Sequence, residues 1–287
     1  MTALCEPCGS CSISGKKAIV EKLTADIDRL MAEGAYQDAY PISLRLLEEA
    51  EGLYGSSDPD YASILNDVAS VERGLGRYDE AEKRFRAAAR ILREALGDHD
   101  SEFASVVANL AGLHRLTGDL PRAEEEFERA LGIYERELGF SDWRTISCLN
   151  NLGLVYQDQG RYEEAIGCHV RALELLQDPE TPDDPSSIAT TLMNGAVCSA
   201  KMGDQAEAAE LFDCAMELIE QVNGRESAAY AGALNNIAAF ELERGDARRA
   251  VSLLRESEAL TRGLFGEGSS ALALVRANLR RAESQGS

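Results

Sequence analysis

The chain lacks a long apolar run: nowhere in its 287 residues do the roughly 20 consecutive apolar positions of a membrane-spanning helix occur. Its first thirty residues also lack the basic segment followed by an apolar stretch that marks a secretory signal, so the expected compartment is the cytoplasm. Positive charge is scarce. With 29 basic against 50 acidic residues the formal charge is −21, which repels phosphate backbones and anionic lipid. Nucleic acid and membrane are therefore expected not to be partners, and basic or neutral ones are favoured. Histidine is scarcer still: His99, His114 and His169 are scattered, with no pair on one helix. There is no nucleophile elbow, and Gly15-Lys16-Lys17 lacks the earlier glycine of a phosphate loop. No active site is recognisable, and the chain reads as a non-enzyme. The seven cysteines are odd in number and fall into two groups, Cys5, Cys8 and Cys11, then Cys148, Cys168, Cys198 and Cys214. That distribution is not a secreted disulfide framework.

What the chain has in abundance is repetition. Gly34, Gly76, Gly118, Gly160, Gly203 and Gly245 recur at intervals of 42, 42, 42, 43 and 42 residues. Each is followed five positions later by an alanine: Ala39, Ala81, Ala123, Ala165, Ala208 and Ala250. A second small residue precedes five of the glycines by seven positions, at Ala69, Ala111, Gly153, Ala196 and Ala238. A fixed period of this size points to stacked supersecondary units sharing one core, with small residues where helices approach closely.

One unit shows the pattern. Over residues 101–139, Val106, Leu110, Leu113 and Leu116 recur at helical steps before the glycine, and Ala123, Phe127, Ala130, Leu131, Tyr134 and Leu138 after it. Two amphipathic helices meeting at Gly118 are expected. Pro121 falls in the first turn of the second helix, where its missing N–H costs nothing. Asp58-Pro59 and Asp184-Pro185 read as an aspartate cap followed by proline at the start of other first helices. No strand pattern of comparable length occurs.

These alternating small and large positions resemble the tetratricopeptide repeat over about residues 18–283. The small residue of the first helix and the alanines of the second are matched by Ala111 with Ala123 and Ala130, and by Gly153 with Ala165 and Ala172. Together with LNNLGLVYQDQGRYEEA (149–165) and ALNNIAAFELERGDARRA (233–250), the 42-residue period resembles the repeats of kinesin light chains. The resemblance implies an all-α, right-handed superhelical solenoid of helix-turn-helix units. A leader over 1–15 precedes a solenoid over 16–287, made of six helix pairs and a capping helix at about 270–283. Pro41 inside a second helix, and Glu72 and Glu241 in place of an aromatic, depart from the pattern.

Nine residues before the glycines stand Asp67, Asn109, Asn151, Asn194 and Asn236, and Asn278 continues the column in the last helix. Asparagine competes with the backbone and is a poor helix-interior residue, so this register needs a reason beyond propensity. The resemblance places the column on the concave face, where such amides hydrogen-bond the main chain of an extended peptide. The alternative is that the amides stitch neighbouring helices together. Asn66, Asn150 and Asn235 form a patchier second row, interrupted by Ala108 and Met193, and Arg73 and Arg115 join the expected groove lining. The spacing of Cys5, Cys8 and Cys11 matches three ligands of a cluster-binding run but lacks the fourth cysteine, so a zinc or iron-sulfur site there would need an outside ligand. The expectation is an interaction scaffold or adaptor that binds a peptide or partner segment in its groove. A metal-binding or thiol-redox accessory protein and a peptide-sensing regulator are the alternatives.

Overall fold

A computed structural model describes residues 13–285. Thirteen α-helices and no strand occupy these described residues. They are α1 (Ile13–Ala32), α2 (Tyr36–Tyr54), α3 (Pro59–Gly74), α4 (Tyr78–Leu96), α5 (Ser101–Thr117), α6 (Leu120–Glu137) and α7 (Trp143–Asp158). There follow α8 (Tyr162–Leu176), α9 (Pro185–Met202), α10 (Gln205–Asn223), α11 (Ala228–Glu243), α12 (Ala247–Phe265) and α13 (Ser270–Gln285). Odd-numbered helices are the first of each repeat and even-numbered ones the second. Two compact units divide the chain, residues 1–148 and 149–287.

The repeated glycines close the turn inside each pair. Gly118 ends α5 at φ 84°, a left-handed conformation that side-chain-bearing residues avoid, and the Asp119 N–H then donates back to the His114 carbonyl at 2.9 Å. Five positions on, the alanine packs against the first helix; Ala39, Ala81, Ala123, Ala165, Ala208 and Ala250 are all 0 % exposed. The two kinds of small residue therefore act differently. A Cβ at Gly118 would meet nothing within 4 Å, so there the requirement is conformational, whereas one at Gly153 would lie 2.6 Å from the His169 ring. A second glycine series, Gly55, Gly97, Gly139, Gly224 and Gly266, also has positive φ and closes the turns between repeats.

The first helices start as the caps require: Asp58 accepts from the Asp60 N–H, and Asp184 from the Ser187 N–H at 3.0 Å. Asp100, which no proline announces, does the same for Glu102 at 2.7 Å. Pro41 lies inside α2 without ending it, because Ala39, Ser43, Leu46 and Ala50 on the buried face hold the helix against its neighbours. The expected leader over 1–15 overlaps α1, since residues 13–15 are helical; the Lys16 ammonium donates to the Gly52 carbonyl and fastens that turn to the end of α2. Glu72 and Glu241 are buried rather than excluded from the core. Arg84 Nε reaches both Glu72 oxygens, at 3.0 and 2.9 Å, and Arg249 reaches Glu241 at 3.1 Å. His114, at the same register, sits 2.7 Å from Glu126 and 3.4 Å from Glu82.

Within the first unit α3 packs against α5, and within the second α9 packs against α11 and α11 against α13, while successive second helices make no comparable contact. The first helices are thus the closer-set layer of each unit. Core contacts at the alanines carry the first testable consequence. Ala123→Leu should lower stability by about 1–3 kcal/mol through overpacking. Gly118→Ala, with open space around it, should cost about 1 kcal/mol or more through strain alone. Urea denaturation of both variants checks this, and an unchanged midpoint for Ala123→Leu would refute the packing assignment.

Candidate functional site

The asparagine column lies on the close-set first helices, and every member is half-buried. In the first unit the Asn109 amide on α5 donates to Asn66 Oδ1 on α3 at 2.9 Å. In the second, the Asn278 amide on α13 donates to Asn235 Oδ1 on α11 at 2.8 Å. These two bonds repeat one geometry: a column residue donates to the second-row residue of the preceding repeat. Asn150 on α7 is bound differently, donating to Thr191 Oγ1 at 2.8 Å with its oxygen 3.0 Å from His169 Nδ1. Other polar links join the same layer: Arg73 Nη1 to the Asn109 carbonyl at 3.3 Å, the Cys198 thiol to Gln157 Oε1 at 3.7 Å, and Lys201 to Glu243.

Stitching therefore occupies Asn66, Asn109, Asn235 and Asn278. Asn194 on α9 and Asn236 on α11 are different, since neither side-chain amide has a hydrogen-bond partner among the described residues. The sequence could not make this distinction. Column Asn109 and Asn278 follow a repeat whose second row holds asparagine, whereas Asn236 follows one where Met193 stands and offers no acceptor. The patchiness of the second row thus signals Asn236 but not Asn194, which follows Asn150, whose oxygen lies 3.0 Å from His169 Nδ1 instead. Asn151 is half-buried and engaged by its surroundings, as is Arg115 on α5.

At the start of the column Asp67 replaces asparagine and changes the electrostatics. It borders a cavity of about 540 Å³ between α1 and α3, which Lys17, Asp28, Tyr54 and Asp60 also line. Burial, with the Asp28 charge beside it, pushes the Asp67 carboxyl up to about 6, only partly countered by the Asn66 amide. Arg73, seven residues beyond Asn66 and so on nearly the same face of α3, stands 5.9 Å from the Phe85 ring centre; burial pulls its guanidinium below the ordinary range.

Two further sequence readings concern chemistry. His169 is 1 % exposed, its Nε2 has no partner, and burial lowers its pKa to about 4, so it is a neutral packing residue beside Gly153. Cys148 and Cys198 are buried, and burial pushes the Cys198 thiol up to about 11, away from thiolate chemistry. Cys214 is exposed. Cys5, Cys8 and Cys11 lie outside the described residues. Among the described residues no three of histidine, cysteine, aspartate and glutamate converge as a metal site, and no helix is long and apolar enough to cross a membrane.

Asp67 gives a testable pH dependence. Its folded pKa lies above the unfolded carboxylate value, so the ionised form costs stability above pH 6, and the cost is released as pH falls from about 6 towards 4. Asp67→Asn should therefore stabilise the protein at pH 7, by about 1–3 kcal/mol, with the gain vanishing near pH 4. Denaturant titrations of both proteins at several pH values check this; a gain that does not change with pH would refute it.

Comparison with known proteins places this architecture. The sequence pattern of the tetratricopeptide repeat matches residues 30–100, 102–178 and 187–279. A search of curated proteins finds no significant match. Among solved structures, BtubC (BKLC) from P. vanneervenii is 26 % identical with a TM-score of 0.65, covering 75 % of this chain and 85 % of its own. A putative kinesin light chain from Podosopora anserina, with nearly identical tetratricopeptide-like repeats, is 17 % identical at TM-score 0.58 and covers 71 % of this chain and 96 % of its own. The quorum sensor NprR from B. thuringiensis, in its apo form, is 14 % identical at TM-score 0.65, covering 94 % of this chain and 69 % of its own.

Proposed function

Since the chain belongs to the tetratricopeptide repeat family and is kinesin light chain-like in its repeats, we propose that it is an interaction scaffold that holds an extended peptide segment along its first helices. The observation that carries this reading is the pair Asn194 and Asn236. Two half-buried amides 42 residues apart, on adjacent first helices and with no partner among the described residues, are donors and acceptors set at one register on one face. A carboxamide offers both functions that an extended main chain needs. The repeat supplies the spacing, and binding is reversible and non-covalent.

The stitched asparagines and the unengaged ones should separate in experiment. With an arrayed peptide library as probe, Asn194→Ala with Asn236→Ala should weaken retained peptides roughly ten- to a hundredfold, because each amide contributes about 0.5–1.5 kcal/mol. The melting temperature should stay nearly unchanged. Asn278→Ala, which breaks the bond to Asn235, should instead lower stability by about 1 kcal/mol. Full affinity in a normally melting double variant would end the groove reading. The rival, a zinc or iron-sulfur site on Cys5, Cys8 and Cys11, rests on the spacing of three thiols alone. Metal analysis of reduced, anaerobically purified protein separates the two, since stoichiometric metal lost on Cys8→Ser would establish the rival.

A further inference from the structure

We infer that the solvent-facing side of α4 docks on the solvent-facing side of α10 in a second copy of this chain. The assignment concerns second helices, away from the asparagine column, and stands independently of the groove reading.

Four positions set the character of each face, those seven, ten, fourteen and seventeen residues after the turn glycine. On α4, counted from Gly76, they are Lys83, Arg86, Arg90 and Arg93. On α10, counted from Gly203, they are Glu210, Asp213, Glu217 and Glu220. All of them are exposed. Steps of three, four and three residues keep each set on one side of its helix, turned away from the buried Ala81, Phe85 and Ala88 and from the buried Ala208, Phe212 and Ala215. Every exposed position from 83 to 93 is a cation, and α10 has no basic residue over its whole length. No other second helix fills the four positions with one sign. Fold stability does not ask for this, because like charges three or four residues apart weaken a helix.

The two faces match each other. Each set spans about 15 Å of helix, and the spacing reads the same in both directions, so cations can meet carboxylates whether the helices run parallel or antiparallel. Half of these side chains are unengaged at home. Lys83, Arg93, Glu210 and Asp213 form no ion pair among the described residues, while Arg86, Arg90 and Glu220 pair with sequence neighbours, Glu82, Glu94 and Arg225. The charge of −21 opposes the approach of two copies, but that field is cut to a Debye length of about 8 Å at physiological ionic strength. Opposite charges in contact lie well inside that length and keep more of their attraction. Each surface pair contributes little, so the assembly is reversible and complementarity mainly selects the partner. A foreign acidic or basic partner would use one face alone. A second copy uses both, and their shared register points to it.

Sedimentation of the full chain at physiological ionic strength, over a rising concentration series, should show reversible association. Lys83→Glu with Arg93→Glu, and separately Glu210→Lys with Asp213→Lys, should each weaken it at least about tenfold. None of these substitutions removes an ion pair within the described residues. Mixed in equal amounts, the two variants should associate again, because the untouched α10 of the first meets the untouched α4 of the second. For the wild type, a limit at twice the chain mass identifies two contacts closing a twofold dimer, and continued growth identifies one contact per neighbour; either supports the assignment. A wild type that stays monomeric at millimolar concentration overturns it and leaves the two faces to foreign partners. So does association that both variants retain, or a mixture that stays apart while each variant melts like the wild type. Should a reversal melt early, Lys83→Gln with Arg93→Gln decides: weakened association supports the assignment and unchanged association overturns it.

Discussion

Everything in this fold depends on how closely the second helix of each repeat can approach the first. That distance is set at one residue, the alanine five positions after the turn glycine, which has no exposed surface in any of the six pairs. A methyl group at a helix crossing brings the backbones near enough for larger neighbours such as Phe85, Phe127 and Phe212 to close over the contact. Because every pair uses the same buried alanine, first helices within a unit meet at a repeated register. Side chains separated by about one period then meet. The bonds from Asn109 to Asn66 and from Asn278 to Asn235 are the direct result, two copies of one geometry in different units.

The same regularity explains how the fold carries charges inside. The register four residues before the turn glycine faces the second helix of its own repeat. In the pattern it holds an aromatic, as at Tyr156, but here it also holds Glu72, His114 and Glu241. Glu72 and Glu241 are compensated from that second helix by Arg84 and Arg249, and His114 meets the Glu126 carboxylate there at 2.7 Å. Such exchanges are tolerated where the partner's charged end reaches the rim and stays partly hydrated, as the 27 % exposed Arg84 side chain does. An aromatic and an ion pair thus fill one slot, and the backbone registers no difference.

Repetition also decided how much could be read from the chain without its structure. The helix pairs, the turns and the placing of the asparagine column on the first helices follow from the period, because a residue type recurring at one register must face one environment. The second glycine series escaped notice since the loop at 177–184 interrupts it, with Thr181 where a glycine would continue the spacing. Turn glycines and crossing alanines looked like one class of small residue. They answer separate demands, left-handed backbone at Gly118 and absence of volume at Ala123, and only φ and local space distinguish them. Residues 13–15 are helical although Ser14 and Gly15 are weak helix formers, because the tie from Lys16 to Gly52 is a tertiary contact that local propensity does not contain.

For the candidate site the legible part was the column, and the illegible part was which of its members are spoken for. That depends on pairs of positions 43 residues apart, a column residue and the second-row residue one repeat earlier. Where the earlier amide oxygen is itself unclaimed, the column amide is consumed by the fold, as at Asn109 and Asn278, whereas before Asn194 the Asn150 oxygen faces His169 Nδ1 at 3.0 Å instead. Where it is Met193, the following amide at Asn236 is left to whatever else approaches. Substitutions in the second row therefore act on the chemistry of the first, though Asn151, which follows Ala108, is engaged all the same. A lone change from Asn66 to an apolar residue would release Asn109 without moving a helix, so an array of this kind can trade internal stitching for binding capacity one repeat at a time.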